Sequence, residues 1–250
     1  VTRKVELEVI GCGDAFYSGG RNHTCFLLHD AHGTLAIDFG ATSLLALRGA
    51  GVDPNGIDHI LLSHFHGDHM GGLPFLLLER EFSDGPPTPL TIAGPPGLPE
   101  RLRTLTEAMF PGTWRDPWRF ALTLLEIAPD MHVTLAGRRI LTKAVLHPMA
   151  GFTATALRVE SGGKVLAYSG DTSWTEALID ISRDADLFIC ECFEHTEQPY
   201  VGHLSLPVLL HHLPEITARR TVLTHLGPDM IAARANLPLE ALRDGARLTL

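Results

Sequence analysis

SHFHGDHMGG (63–72) follows directly on the apolar run IDHILL (57–62). His64, His66, Asp68 and His69 fall within six consecutive positions of this stretch. A buried strand that opens into four metal-donor side chains points to a site rather than a core, because loops at strand ends carry reactive groups on a rigid support. Neutral imidazoles and carboxylates suit Zn²⁺ and similar divalent ions. Two extended residues apart, His64 and His66 lean to one side with Cα atoms about 6.6 Å apart, so both rings can approach one ion. Gly67 lets the chain bend, which turns Asp68 and His69 toward a second ion.

Four donors do not complete a two-ion site, and the same layout recurs further along. Apolar strands run into loops holding His or Asp at ILTKAVLHPMAG, KVLAYSGDTS and RRTVLTHLGP, which adds His147, Asp171 and His225. Seven candidate ligands then divide into His64, His66 and His147 on one ion and Asp68, His69 and His225 on the other. Asp171 lies between them, since ions roughly 3.5–4 Å apart can share one carboxylate. Singly, the later three have ordinary readings. A buried His is commonly a satisfied core residue, and Asp171 can cap a helix begun in TSWTEAL. As a set, they point to metal.

Strand and helix patterns alternate along the whole chain. KVELEVIG (4–11), TCFLLH, TLAIDFG, IDHILLSH (57–64) and PLTIAGP (89–95) read as strands. So do RFALTLLEI, HVTLAG, RRILTKAVLH, TATALRVES, KVLAYSGD, ADLFICEC and RRTVLTHLG. TSLLALRGAG (42–51), GLPFLLLEREF (72–82), LPERLRTLTEAMF (98–110), WTEALIDISR and LSLPVLLHHL read as helices. The last twenty residues read as helical turns and a short strand. One α/β domain over 1–250, with two sheets covered by helices, is the simplest architecture. PGTWRDPW (111–118) reads as a surface loop carrying Trp114 and Trp118. Arg101/Arg103 and Arg138/Arg139 read as solvated faces.

A net charge of −9 argues against a broad phosphate-binding surface, though not against a local cationic site. The four cysteines, Cys12, Cys25, Cys190 and Cys192, form no CxxC pair. They read as buried thiols of a reducing compartment. VTRKVELEVIG (1–11) has no apolar leader core, and no stretch reaches membrane-spanning length, so a cytoplasmic setting with no membrane partner is expected.

SHFHGDHMGG resembles the SHxHxDHxxG motif of the metallo-β-lactamase superfamily. His147, the YSGDT stretch (168–172) and the TH of VLTHLG resemble that family's remaining motifs in order. The resemblance implies a four-layer αβ/βα sandwich: two mixed β-sheets face to face, helices outside, metals at one edge. GCGDAFYSGGRNHTCFLL (11–28), LTIAGPPGL (90–98), ECFEHT (191–196) and GHLS (202–205) are similar to the ribonuclease Z-like branch. That likeness implies a pair formed by Glu191 and His203, with His203 as general acid. The alternative to His203 is Asp68, which can shuttle a proton while ligating, and Asp38 reads as a support that orients a ligand or loop. Arg21 then binds a phosphate oxygen or sits in a salt bridge. His23, His29, His32, His59, His132, His195, His211 and His212 fall outside the scheme as surface or packing residues. Two departures matter. The branch reads His-Ser-Thr where this chain has His203-Leu204-Ser205. Only residues 148–170 separate His147 from Asp171, which leaves no room for a tRNA-clamping arm.

The resemblance implies a hydrolase with two divalent ions, Zn²⁺ first and Mn²⁺ or Fe²⁺ as alternatives. Two such ions less the Asp68 and Asp171 charges leave about +2 in the pocket. A phosphodiesterase on a small anionic phosphodiester is favoured over tRNA processing. A lactone, thioester, ester or sulfate ester hydrolase on the same ions is the alternative. A non-catalytic or redox metalloprotein is the alternative of another class; diiron relatives carry a Glu where His66 stands. A homodimer is an assembly common among such proteins.

Overall fold

The computed structural model describes residues 4–86, 88–198 and 202–250. Strands β1 (Glu6–Gly11), β2 (Cys25–Asp30), β3 (Gly33–Ile37), β4 (His59–Leu61), β5 (Leu90–Gly94) and β6 (Leu122–Glu126) form one sheet in that order. The C-terminal β14 (Arg247–Thr249) closes it beside β1. The second sheet runs β7 (His132–Leu135), β8 (Arg138–Ala144), β9 (Thr155–Ser161), β10 (Lys164–Tyr168), β11 (Leu187–Glu191), β12 (Thr221–Thr224) and β13 (Glu240–Ala241). Each sheet has seven strands and mixes parallel with antiparallel pairs. Helices α1 (Ser43–Gly49), α3 (Leu73–Phe82) and α4 (Leu98–Met109) cover the first sheet. Helices α5 (Ala177–Ser182), α6 (Leu206–His212) and α7 (Pro228–Ala233) cover the second. Between β4 and α3, α2 (Gly67–Met70) is a single short turn.

The strands read as continuous apolar runs because both faces of each sheet are covered. Strand period two then splits one strand between two cores. On β2, Phe26 and Leu28 point into the space between the sheets, meeting Leu157, Val159, Tyr168 and Ile189. Cys25 and Leu27 on the same strand face α1 and α3, with Leu47, Leu76 and Leu77. Cys190 and Cys192 share the layer under α5 and α6 with Phe188 and Leu209. All four thiols are free and buried, as their apolar settings led us to expect. Truncating one of these fully buried leucines to alanine would cost about 2–5 kcal/mol.

Two expectations fail here for the same reason, a long side chain buried by a distant partner. Arg138 is fully buried rather than solvated. Its Nε and Nη2 each lie 2.8 Å from Asp30 of the other sheet, and Nη2 also donates to the Gly33 carbonyl at 3.0 Å. Arg139 beside it, Arg101 and Arg103 are exposed as expected. Trp118 is not a surface residue either: it is 7% exposed, packed edge-on against Trp114 and joined to the core under α4.

Parallel pairing places the site. β3, β4 and β5 run parallel, as do β10, β11 and β12. Their C-terminal ends therefore lie together along one edge of each sheet, where Asp38, His64, Asp171, Glu191 and His225 leave the strands.

Candidate metal centre

All seven candidate ligands converge at that edge. His64, His66 and His147 form one group, and Asp68, His69, Asp171 and His225 another; within each, the donor atoms lie within 4.8 Å of one another. In the second group the spacing is tighter. His69 Nε2 lies 3.3 Å from Asp68 Oδ2 and 3.2 Å from Asp171 Oδ2. His225 Nε2 lies 3.2 Å from each of those two oxygens. Ligands at about 2.0–2.1 Å from a tetrahedral ion sit about 3.3 Å apart along each edge, so the spacing matches one ion. Asp171 Oδ2 is also 3.7 Å from His64 Nε2, which puts this carboxylate between the two groups.

The local backbone differs from the expected extended run. β4 ends at Leu61, so His64 and His66 stand on the bend beyond it rather than on the strand. Asp68 and His69 belong to α2, whose turn sets them on one side. Asp171 caps no helix, since α5 begins only at Ala177. Its approach depends on Gly170, at φ 60, where a Cβ would meet the Thr155 carbonyl oxygen at 2.6 Å. Two non-glycine residues here hold left-handed backbones, Asp38 at φ 57 and His225 at φ 55, a cost that clusters at functional sites.

Hydrogen bonds set the ring tautomers. A carboxylate only accepts, so His69 Nδ1–H donates to Asp38 Oδ2 at 2.7 Å and leaves the Nε2 lone pair free. Ser63 Oγ donates to the same Asp38 oxygen at 2.7 Å. Its remaining lone pairs accept from His64 Nδ1–H at 3.0 Å, which frees His64 Nε2. His147 Nδ1–H donates to the Gly202 carbonyl at 2.6 Å, so its Nε2 faces His66 Nδ1 at 2.9 Å. Asp38 supports ligands as the resemblance implies. Ser63 and the Gly202 carbonyl are orienting groups that sequence reading missed: the first has a signal in the SH dipeptide, the second has no side chain to signal it.

The donor set fits divalent cations. Among the described residues, His64 Nε2 and His69 Nε2 are buried without a hydrogen-bond partner where the other donors converge, and so is Oδ1 of Asp171, whose Oδ2 faces them. Burial holds the His64 ring well below the usual imidazole range. At His69, burial acts in the same direction, but the Asp171, Asp68 and Asp38 carboxylates outweigh it and hold the ring well above that range. The centre thus draws positive charge, and buried carboxylates at such density are stable only when paired or bound to metal.

Glu191 and His203 stand beside this centre as a pair. Glu191 is fully buried, and its carboxylate accepts from Thr172 N at 2.6 Å, Phe193 N at 3.3 Å and Leu204 N at 3.2 Å. It also accepts from His203 Nδ1–H at 2.9 Å. Burial disfavours the imidazolium of His203, but Glu191 more than offsets this and lifts its pKa to about 9. The His203 ring lies 5.0 Å from that of His147 and 5.1 Å from that of His225. A cavity of about 460 Å³ adjoins it, lined by Leu146, Ser173, Trp174 and Ser205 among others. Of the histidines set aside, His23 is buried and stacks on Tyr17 at 4.2 Å, a packing residue. Arg21 forms no salt bridge among the described residues, and both its terminal nitrogens are buried without a partner there.

This fold, with this site at the C-terminal strand edge, is that of the metallo-β-lactamase superfamily in its ribonuclease Z-like branch, whose coarse activity is metal-dependent hydrolysis. The family model described as "Anti-Pycsar protein Apyc1" matches residues 5–238, and the chain belongs to that family. The uncharacterized protein Rv1339 of Mycobacterium tuberculosis is 31% identical over 238 residues, covering 88% of this chain and 85% of that protein. A ribonuclease Z of Geobacillus kaustophilus is 26% identical, covering 89% of this chain and 88% of the enzyme. The crystal structure of the metallo-β-lactamase fold protein YhfI from Bacillus subtilis superposes with a TM-score of 0.79 at 24% identity, covering 98% of this chain and 99% of that one. No helix among the described residues is long and apolar enough to cross a membrane.

Proposed function

We propose that this protein is a phosphodiesterase that holds two divalent ions, Zn²⁺ first, and hydrolyses a small anionic phosphodiester, cyclic or linear. His64, His66 and His147 would hold one ion, Asp68, His69 and His225 the other, and Asp171 both. Ions bound there would supply Lewis acidity, polarising the phosphoryl oxygens and making water acidic enough to act as a nucleophile near neutral pH.

The observation that carries the reading is the Glu191–His203 pair at the rim of the centre. When a diester is hydrolysed, one P–O bond breaks and the departing alkoxide oxygen needs a proton. His203, charged through Glu191, presents its free nitrogen beside His147 and His225, and that proton is the one it would give. Four donors hold the Glu191 carboxylate in place, so the pair keeps its geometry through turnover. Asp68 and Asp171 hold the ions and confine the positive field to one pocket in an otherwise acidic protein, which favours an anionic substrate.

Two observations support a small substrate over tRNA. Between His147 and Asp171, the interval that would have to hold a clamping arm, residues 148–170 are taken up by β9, β10 and the tight turn at Gly162 and Gly163 that joins them. The cavity beside His203, at about 460 Å³, has the size of a small-molecule site. The test is a panel of phosphodiester, lactone, thioester and sulfate ester substrates with and without chelator. Phosphodiesters should turn over fastest, and only without chelator. A faster acyl or sulfate ester, or chelator-resistant turnover, would overturn the reading.

A further inference from the structure

A second unusual charge site lies behind the Cys12 segment, whose carbonyl accepts from His225 N at 3.1 Å. Arg21 is 6% exposed, yet neither Nη1 nor Nη2 has a hydrogen-bond partner among the described residues. An arginine stays charged in any folded protein, so this is a buried cation without a counter-charge in contact. The carboxylate in the neighbourhood, Asp244, is already engaged. Its Oδ1 accepts from the Cys12 amide at 3.1 Å and thiol at 3.3 Å, and its Oδ2 from the Asn22 amide at 2.8 Å and side chain at 3.1 Å.

More positive charge converges on the same place. Arg234 follows α7, and α7 packs on the loop that carries Arg21: a Cβ at Gly19 would meet Ile231 at 3.0 Å. Arg234 Nη2 is likewise buried and unpartnered. Burial first, then the charges of Arg21 and Arg243, depress its pKa. Arg234 and Arg243 line a cavity of about 710 Å³, whose walls include the apolar Leu237 and Pro238. Glu240 on its rim is already held by Arg220, at 2.6 Å. Two arginines thus line one cavity, a third, the buried Arg21, adds its charge from behind, and the chain's net charge is −9.

We infer that Arg21, Arg234 and Arg243 form a binding site for a phosphate-type oxyanion, distinct from the metal centre, whose cavity admits the body of a small phosphorylated molecule. Guanidinium forks match tetrahedral oxyanions bidentately, and an oxyanion in the cavity would meet Arg234 and Arg243 directly, with the Arg21 charge behind them. The cavity size and its mix of apolar wall with a few convergent charges are those of a small-molecule site.

The test titrates metal-loaded protein with inorganic phosphate by calorimetry, alongside phosphate inhibition of hydrolysis. Wild type should show a phosphate-binding event that Arg234→Met weakens by about 10- to 100-fold, the loss of charged hydrogen bonds. Phosphate inhibition at the metal centre should be unchanged in that variant. Arg21→Met should raise Tm in phosphate-free buffer, by removing the unpaired buried charge, and abolish the further rise that phosphate gives wild type. Wild-type phosphate stoichiometry and affinity in Arg234→Met overturns the site, as does a wild type whose one phosphate event coincides with inhibition. If Arg21→Met does not fold, the Arg234→Met titration decides.

Discussion

Asp38→Asn is close to isosteric, and it should disable metal binding without touching a ligand. One oxygen, Asp38 Oδ2, accepts from both His69 Nδ1 and Ser63 Oγ, and Ser63 Oγ accepts in turn from His64 Nδ1. The carboxylate thereby presents the Nε2 lone pairs of His64 and His69 to the two donor groups. With an amide NH₂ in that place, the relay reverses. The amide donates to Ser63 Oγ, the hydroxyl donates to His64 Nδ1, and the His64 proton moves to Nε2. His69 loses its acceptor and is pushed to the same wrong tautomer. Flipping the amide restores Oδ2 but sets the NH₂ against Ser63 N, which now donates to Oδ1 at 2.7 Å. Loss of such an orienting partner costs about 10–100-fold in metal affinity, or about 1.4–2.7 kcal/mol, and here it should fall on both groups. Ser63→Ala is the control, because it cuts only the branch to His64 and should weaken only the His64, His66, His147 group. Competition against a chromogenic chelator, with metal content per chain by mass spectrometry, reads both. Affinities within twofold of wild type in Asp38→Asn would refute the relay.

Asp171→Ala should lower occupancy in both groups, since its Oδ2 faces His64 as well as His69 and His225; metal analysis showing one ion fully retained would count against a shared carboxylate. His203→Ala should slow hydrolysis of a diester with a poor leaving group by about 10²–10⁴-fold and of one with a good leaving group far less, and equal losses would remove His203 as the acid. Chelator treatment should abolish activity and lower Tm, and returning Zn²⁺ should restore both. Asp30→Asn should cost about 3–5 kcal/mol at neutral pH by stranding buried Arg138. Burial alone would raise the Asp30 pKa, but hydrogen bonds from Arg138, Ser161 and His32 N outweigh it and depress it. A depressed carboxyl contributes its stability above the unfolded pKa, about 3.9, and loses it as pH falls through the folded value. The gap between wild type and variant in denaturant melts should therefore narrow below about pH 4; a widening gap would contradict the assignment.

The sequence was most legible where chemistry is dense and local. Six adjacent positions carried His64, His66, Asp68 and His69, and periodicity carried the strands, because burial on both faces leaves an unbroken apolar run. His147, Asp171 and His225 were legible for a topological reason. Parallel strands end at the same edge, so a polar residue just past several such strands marks one place in space even when the residues are far apart in the chain. What stayed hidden depends on partners that leave no local mark. Arg138 looks like half of a solvated Arg pair until Asp30 meets it from the other sheet, 108 positions away. The Gly202 carbonyl that fixes His147 is a backbone atom. Asp171 reads as a cap because Asp before Thr-Ser is a helix-start signal, but the helix does not begin until Ala177, and Gly170 turns Asp171 into the site instead. The left-handed backbones of Asp38 and His225 join the two halves of this reading. A single left-handed non-glycine residue costs on the order of 1 kcal/mol. One of them turns a candidate ligand, and the other the carboxylate that sets two rings, so this strain lies at the orienting relay and its ligands.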